Sequence, residues 1–256
     1  MQPLILNYES SGPQDAPVLL LGGGLGTNLT MWREQVQALA STHRVIPFDH
    51  RGHGRSFTAL GPYSIDDLGR DVLALIDHLG IERVSYAGLS IGAMVGIWLA
   101  ANAPERLDRL ILMGPSAYAP PSSRWLERAE LVREAGTAAV VADAVVERWF
   151  TAAWADSHPA VVDSYRAMVV STDAEGYAAC CEAIAAMDLR EQLGAISAAT
   201  LVISAAEDLS LPPEHQRLIA ERIAGARLAT IQDAAHIVTA QQPDLVNRLI
   251  AEHLRS

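Results

Sequence analysis

Six short apolar runs, each ending at a loop rich in glycine or polar residues, constrain the fold of this chain more than any other feature. They alternate with helical segments along 256 residues, and they are Val18–Leu21, Arg44–Phe48, Val84–Ala87, Leu110–Met113, Leu201–Ser204 and Arg227–Ile231. Such alternation predicts an α/β fold with a mostly parallel sheet flanked by helices. In these sheets the working residues lie just past the carboxyl ends of the strands. We therefore expect a site in the loops that follow the six runs.

The stretch from residue 117 to residue 195 interrupts this alternation. It contains Pro120-Pro121, many alanines and arginines, and no convincing strand. The sequence therefore predicts a core formed by residues 1–116 and 196–256, into which residues 117–195 are inserted as a helical cap.

The charge balance argues against a nucleic-acid partner. The chain has 19 Lys and Arg against 30 Asp and Glu, a formal net charge of −11. It has no basic stripe, whereas nucleic-acid binding depends on neutralising phosphates. An acidic surface also gives no long-range attraction to an anionic substrate, so local arginines would have to hold such a substrate.

Nothing in the sequence indicates export or a membrane. The first residues, Met1 to Asn7, lack the basic and long apolar segments of a signal peptide. The apolar runs fall far short of the roughly 18 residues that span a bilayer. The two cysteines, Cys180 and Cys181, are adjacent, and we interpret them as helix-packing residues in a reducing compartment rather than a redox site. We expect a cytoplasmic protein with no membrane partner; its oligomeric state, monomer or homo-oligomer, stays open.

The segment Gly88-Leu89-Ser90-Ile91-Gly92 is the strongest chemical signal. It follows a predicted strand and opens an apolar helix that ends before Pro104. A serine on so tight a turn needs small residues two positions before and two after it, and the turn lifts its hydroxyl above the sheet. The helix amino terminus then points at developing negative charge. The pattern predicts a nucleophile at Ser90, in preference to a structural turn.

A serine hydroxyl needs a base to become a nucleophile. Of the eight histidines, His236 alone follows the last predicted strand, in a short loop that could bring it to Ser90. We interpret His43, His78 and His253 as surface residues, because they precede a strand or lie in amphipathic helices. The base is therefore predicted to be His236.

An acid must orient that imidazole and stabilise its charged form. The chain order serine, acid, histidine places the acid after the next-to-last strand. Asp208 lies there, with Glu207 beside it as the alternative. Asp233 is only three residues before His236 and is interpreted as a cap of that loop. The prediction is Asp208.

Two backbone amides are expected to stabilise a tetrahedral oxyanion. One is the amide of Ile91, directly after the nucleophile. The other is assigned to Leu25, in the loop Gly22-Gly23-Gly24-Leu25-Gly26, with a simple tight turn as the alternative. This loop does not have the glycine spacing of a dinucleotide-binding fingerprint.

The segment from Asp49 to Ser56 contains His50 and His53 and looks reactive, but we interpret it as structural. Its Asp and Arg residues would lock the loop under the site by charge-assisted bonds, and direct chemistry at either histidine is the less favoured alternative. No His or Cys pair has metal-ligand spacing with nearby acids. The sequence predicts neither a metal nor a cofactor.

These features resemble the α/β-hydrolase superfamily. Gly23–Thr27, Arg51–Ser56, the Ser90 turn and His236 occur in that family's order, and the resemblance covers nearly the whole chain. It implies the α/β-hydrolase fold with a helical cap.

Within the superfamily the chain is most similar to the 3-oxoadipate enol-lactonases. The matching segments lie in the core and in the cap, and they are Leu25–Thr27, Met31-Trp32, Gly61–Ile65, Ala144–Thr151 and Thr172–Ile184. The lactonases carry an Arg after the fourth strand, where this chain reads Gly114-Pro115-Ser116-Ala117-Tyr118-Ala119-Pro120. Arg148 and Trp149, in a matching cap segment, are therefore the candidate substrate-binding residues, and Arg124, Arg128 and Arg133 are the other candidates for holding a carboxylate.

The resemblance implies hydrolysis of an enol-lactone to 3-oxoadipate in aromatic catabolism, through attack by Ser90 with His236 as base. The rival interpretations are a general carboxylesterase or another lactonase, a cofactor-free perhydrolase or haloperoxidase-like enzyme, and a ligand receptor of hydrolase fold. Dehalogenases and epoxide hydrolases are disfavoured, because they use Asp where Ser90 stands.

Overall fold

The computed structural model of the protein describes residues 5–255. Met1 to Leu4, on which the expectation about a signal peptide partly depends, and Ser256 lie outside the described residues. The described chain forms a six-stranded sheet in which every neighbouring pair is parallel, in the order β2-β1-β3-β4-β5-β6. Its strands are β1 (Val18–Gly22), β2 (Arg44–Phe48), β3 (Val84–Leu89), β4 (Leu107–Met113), β5 (Ala199–Ala205) and β6 (Arg227–Ile231).

The predicted α/β fold and its six strands are confirmed, and the differences lie at the strand ends. β4 begins at Leu107, three residues before the predicted apolar run. The predicted run began late because Asp108 and Arg109, at the rim of the sheet where polar side chains reach solvent, interrupt the apolar pattern. Arg109 still pairs in register with Ala199 of β5. Apolar runs therefore mark the buried part of a strand and omit its exposed end.

The order of the strands reverses direction between β1 and β3. From β1 the chain passes outward to β2, and it then returns to place β3 on the other side of β1. Loops after two such strands diverge and leave a crevice at the carboxyl edge, which is where open α/β sheets bind ligands. The loops after Gly22 and after Leu89 flank this crevice.

Helices cover the sheet. They are α1 (Arg33–Leu39), α2 (Ile65–His78), α3 (Ile91–Asn102), α4 (Ser122–Ala135), α5 (Ala139–Val146), α6 (Ala152–Ser157), α7 (Pro159–Ser171), α8 (Ala174–Ala186), α9 (Pro213–Arg222), α10 (Val238–Gln241) and α11 (Pro243–Arg255). α3 packs against β3 and β4, and it is buried from Ile91 to Ala100, as an apolar helix under the centre of a sheet must be. α2 starts at a capping box, in which the Ser64 hydroxyl accepts from the Asp67 amide at 3.1 Å and the Asp67 carboxylate accepts from the Ser64 amide at 2.9 Å.

Helices α4 to α8 lie between β4 and β5, within the stretch predicted to form a cap, and that stretch contains no strand. The cap approaches the core closely where α8 meets the loop after β2. A Cβ added to Gly176 would lie 2.3 Å from the Cα of Gly52, so these two backbones touch. Cys180 and Cys181 are buried in α8, and burial raises the pKa of both thiols, as expected for packing residues.

One surface expectation is wrong. His253 is buried, and its Nε2 lies 3.0 Å from the carbonyl oxygen of Ala199, because α11 packs this face against the start of β5. His78 is exposed and His43 is half-buried. Among the described residues no helix is long and apolar enough to cross a membrane.

Candidate active site

Ser90 occupies the turn between β3 and α3, and its backbone is strained. Its φ of 57° and ψ of −119° lie in a region that residues with a Cβ rarely adopt. The turn is closed so tightly that a Cβ on Gly88 would lie 2.3 Å from the Gly92 carbonyl oxygen, and a Cβ on Gly92 would lie 2.3 Å from that of Gly22. The two glycines are thus required by close backbone approach, as the sequence pattern predicts.

Hydrogen bonds to β4, to the loop after β1 and to β3 hold this turn. The Ser90 amide donates to the Met113 carbonyl at 2.9 Å, and the Gly92 amide donates to the Gly23 carbonyl at 3.1 Å. The Tyr86 hydroxyl, fully buried beneath the turn, donates to the Gly92 carbonyl at 2.8 Å. Burial raises the pKa of Tyr86, so the phenol stays protonated and remains a donor. Tyr86 is not among the predicted site residues, because a tyrosine in a strand carries no signal of what lies above it.

His236 and Asp208 form a buried pair. The His236 Nδ1 lies 2.7 Å from the Asp208 Oδ2, and both residues are almost completely buried. The other carboxylate oxygen, Oδ1, accepts the amides of Ser210 at 2.8 Å and Leu211 at 2.9 Å. The carboxylate is therefore held by its own loop and presents one oxygen to the imidazole. Since a carboxylate only accepts, Nδ1 carries a proton, and in the neutral imidazole Nε2 is then the hydrogen-bond acceptor.

The alternative acids lie elsewhere. Glu207 is exposed and faces an outer groove, and Asp233 is exposed in the loop after β6. The structure thus brings Asp208, and neither of its rivals, into contact with His236.

Ser90 and His236 meet at a small cavity that is partly open to solvent. Among the described residues the Ser90 hydroxyl makes no hydrogen bond, to His236 or to any other group. Such bonds are often long in unliganded enzymes and tighten when substrate binds. The cavity wall combines the glycine loop with cap residues, and it includes Gly24, Leu25, Trp125, Trp149 and Tyr177.

The predicted oxyanion amides lie on two elements that touch. Leu25 follows β1 and Ile91 opens α3, and within residues 5–255 neither amide has a hydrogen-bond acceptor. A Cβ added to Gly24 would lie 3.7 Å from the Cβ of Ser90, so the glycine loop runs directly beside the serine. Two unpaired amides next to a hydroxyl form an arrangement that could bind an oxyanion.

Three arginines of the cap, Arg124, Arg128 and Arg148, line the same cavity. Arg124 and Arg128 lie one turn apart on α4, each with its guanidinium 5.0 Å from the centre of the Trp125 ring. In the described part of the chain none of the three forms an ion pair, and no carboxylate lines the cavity. Asp208 lies behind His236, to which it is hydrogen-bonded. The Arg124 Nε is buried without a partner. Burial, together with the charges of the other two arginines, lowers the pKa of Arg124.

The fourth candidate, Arg133, is engaged elsewhere. It pairs with Glu175 at 2.8 Å and with Glu182 at 2.7 Å, which joins α4 to α8. Arg133 does not line the cavity. The Arg124 guanidinium donates to the Ser210 carbonyl at 3.3 Å. Among the described residues no carboxylate neutralises Arg124, Arg128 or Arg148, so this cluster gives the cavity its positive charge.

The loop that carries His236 is attached to the cap. The Ile237 amide donates to the Trp149 carbonyl at 3.0 Å. Gln241 accepts from the Ala235 amide at 2.8 Å and donates to the Thr151 hydroxyl at 3.1 Å. Gln241 is also absent from the predicted site residues, because a glutamine in a short helix has no distinguishing pattern.

The segment from Asp49 to Ser56 has the structural contacts that its sequence predicts. The Asp49 carboxylate accepts from the amides of Leu29 at 2.6 Å and Arg55 at 2.9 Å. Arg51 forms a two-pronged ion pair with Asp71 of α2, at 2.5 and 2.6 Å. No group of three or more His, Cys, Asp or Glu within residues 5–255 could hold a metal ion.

The parallel sheet, the strained serine turn after β3 and the cap before β5 define an α/β hydrolase. The model of the α/β-hydrolase fold family matches residues 16–243, and the chain belongs to that family.

Within this family, the chain is similar to enol-lactonases and to an esterase. The chain is 39% identical to 3-oxoadipate enol-lactonase 2 of Acinetobacter baylyi, covering 97% of this chain and 92% of that protein. The crystal structure of the enol-lactonase from Burkholderia xenovorans is 40% identical with a TM-score of 0.95, covering 98% and 96% of the two chains. A thermophilic esterase from Thermogutta terrifontis, solved with malate bound, is 32% identical with a TM-score of 0.91, covering 98% and 93%. These findings support hydrolysis of a lactone or ester.

Proposed function

We propose that the protein is a serine hydrolase in which Ser90 is the nucleophile, His236 the general base and Asp208 the residue that orients the imidazole. The buried Asp208–His236 hydrogen bond of 2.7 Å supports the assignment, because in the neutral imidazole it keeps the proton on Nδ1 and leaves Nε2 as the acceptor of a residue that lines the cavity. An imidazole held in this tautomer accepts the hydroxyl proton as the serine attacks.

The reaction proceeds through an acyl-enzyme. Ser90 Oγ bonds to the lactone carbonyl carbon while its proton passes to His236 Nε2, and the amides of Leu25 and Ile91 bind the oxyanion. Collapse of this intermediate breaks the ring C–O bond and releases the enolate, which is a good leaving group. The enolate takes the proton from His236 Nε2 and tautomerises to the ketone, so that His236 is again a free base. Water then attacks the acyl group with His236 as base, and it releases the acid and Ser90.

We infer that the substrate is an anionic lactone, namely 3-oxoadipate enol-lactone, as in the degradation of aromatic compounds. The observation that carries this inference is the cluster of Arg124, Arg128 and Arg148 at the cavity, which has no counter-charge in a protein of net charge −11. A cationic wall suits a substrate that keeps a free carboxylate beside the reacting ring. Two enol-lactonases and an esterase with a bound dicarboxylate among the relatives support the same class of ligand.

Alanine substitution of Arg124, Arg128 or Arg148 is expected to weaken the lactone reaction selectively. A charge-assisted hydrogen bond contributes about 1.5–3 kcal/mol, so kcat/KM for the enol-lactone should fall about tenfold or more, mainly through KM. Phenyl acetate lacks a carboxylate and should be almost unaffected. The measurement is kcat/KM for both substrates in each single variant.

Arg133→Ala is the matched control, because it removes a cation from the same helix but away from the cavity. Loss of its two ion pairs is expected to lower stability. The ratio of kcat/KM for the two substrates does not depend on the folded fraction, and it should match wild type. If no cavity variant changes the ratio, or if wild type prefers the neutral ester, the protein is a general carboxylesterase.

A further inference from the structure

Two histidines of the segment from Asp49 to Ser56 lie buried behind the glycine loop after β1. His50 and His53 are 3% and 1% exposed, and neither lines the active-site cavity. Each contacts the backbone of the glycine loop. The Gly26 amide donates to the His53 Nε2 at 2.9 Å, and the His50 Nε2 lies 3.2 Å from the Gly23 carbonyl oxygen.

The partners of His53 determine its tautomer. Its Nδ1 lies 3.1 Å from the Arg51 carbonyl oxygen, which only accepts, so Nδ1 carries the proton. Nε2 is then an acceptor, as the Gly26 amide requires. Burial lowers the pKa of His53, which keeps the ring neutral and preserves this acceptor.

In His50 the Nε2 atom is a hydrogen-bond donor, whereas in His53 it is an acceptor. Its Nε2 donates to the Gly23 carbonyl, and its Nδ1 is buried with no hydrogen-bond partner among the described residues. The same carbonyl accepts the Gly92 amide at 3.1 Å. Gly23 therefore joins the glycine loop to the amino terminus of α3, where the Ile91 amide lies.

Between these anchors the loop makes a tight turn. The Thr27 amide donates to the Gly24 carbonyl at 3.1 Å, and Gly26 at the third position of the turn has a φ of +78°. This is the pattern of a type II turn, which needs a glycine there. Leu25 is the second position, so its amide lies between the backbone groups that His50 and His53 hold.

We propose that His53, with His50 beside it, is a positioning residue that holds the Leu25 amide in place to bind the oxyanion. The inference rests on the proposed acyl transfer at Ser90. In the geometry above, His53 acts only through the Gly26 amide and His50 through the Gly23 carbonyl. Neither residue touches the reacting atoms.

The expected loss of kcat in His53 variants follows from the contribution of the Leu25 amide to oxyanion binding. Loss of an oxyanion-hole donor lowers kcat by about 10²–10³-fold in other hydrolases, and a displacement of about 1 Å costs about 10²-fold. Without an acceptor at His53, the buried Gly26 amide would be unpaired and the turn would shift to satisfy it. The loss should appear in kcat, because the Leu25 amide acts mainly in the transition state.

Two amide substitutions separate this role from general support of the fold. In His53→Gln the longer side chain can present its carbonyl oxygen at the position of Nε2 and accept the Gly26 amide. In His53→Asn the shorter side chain can still donate to the Arg51 carbonyl, but it does not reach Gly26. We expect kcat for phenyl acetate about 10²-fold below wild type in His53→Asn and within tenfold in His53→Gln, with KM little changed in both.

Inhibition by phenylboronic acid provides the second readout. Its tetrahedral adduct on Ser90 places an oxygen in the oxyanion site, so its Ki should rise in parallel with the loss of kcat. His78→Asn, an exposed histidine of α2, is the matched control and should keep wild-type kcat and Ki.

Thermal unfolding and active-site titration give the concentration of folded enzyme, so that all rates refer to it. Equal kcat in the Gln and Asn variants, or a fall in kcat without a rise in the boronate Ki, would overturn the inference. Failure of the proposed function looks different, since Ser90→Ala would then retain activity whatever the His53 variants do.

Discussion

Ser90→Ala is expected to reduce turnover of the enol-lactone and of phenyl acetate by several orders of magnitude. Loss of the nucleophile removes the acyl-enzyme route, and in subtilisin the equivalent change costs about 10⁶-fold in kcat. The protein should still fold, because the Ser90 hydroxyl makes no hydrogen bond in the described structure and alanine keeps the same Cβ in the strained turn. The measurement is kcat for both substrates together with the thermal unfolding midpoint.

Ser116→Ala is the matched control for this experiment. The Ser116 hydroxyl is also buried and lies 2.9 Å from a histidine nitrogen, Nδ1 of His215, but neither residue lines the cavity. Its loss should leave kcat close to wild type. A Ser90→Ala enzyme that kept even a tenth of wild-type kcat would refute the assignment of the nucleophile.

Asp208→Asn is expected to lower kcat by about 10⁴-fold, the effect of the equivalent change in a serine protease of the trypsin type. The amide would present an N–H₂ group where Oδ2 now accepts from His236 Nδ1, which favours the wrong imidazole tautomer. Its carbonyl oxygen can still accept the amides of Ser210 and Leu211, so the loop should keep its shape. The measurement is kcat at constant folded enzyme, with KM as a check on substrate binding.

Glu207→Gln removes a neighbouring carboxylate of the same loop and should change kcat little, because that side chain is exposed and does not contact His236. If the two effects came out reversed, Glu207 would be the orienting acid, and the His236–Asp208 contact would not describe the working enzyme.

The sequence predicted the sheet and the positions of the candidate triad because the signals involved are local. Each strand is a short apolar run, and the residues after it fall at one edge of a parallel sheet whatever else the chain does. The turn around Ser90 requires glycines at Gly88 and Gly92, and such a requirement is visible in five residues of sequence.

The sequence did not predict which arginines of the cap line the cavity. Arg124, Arg128 and Arg133 lie on one helix, and the segment match favoured Arg148 instead. The polar and apolar residues of α4 are not cleanly separated, so its sequence does not tell which face meets the cavity. Packing against α8 decided it, because Glu175 and Glu182 engage Arg133 and leave the first two arginines at the cavity.

The sequence by itself determined the α/β fold, the strained turn at Ser90 and the order of the candidate serine, acid and histidine. Only the tertiary structure decided that Asp208 rather than Glu207 contacts His236, that Tyr86 lies under the turn, and that His53 contacts the Gly26 amide. The physical reason is distance along the chain. Turns and strands follow from neighbouring residues, whereas these contacts join segments that only the packing of the whole sheet brings together.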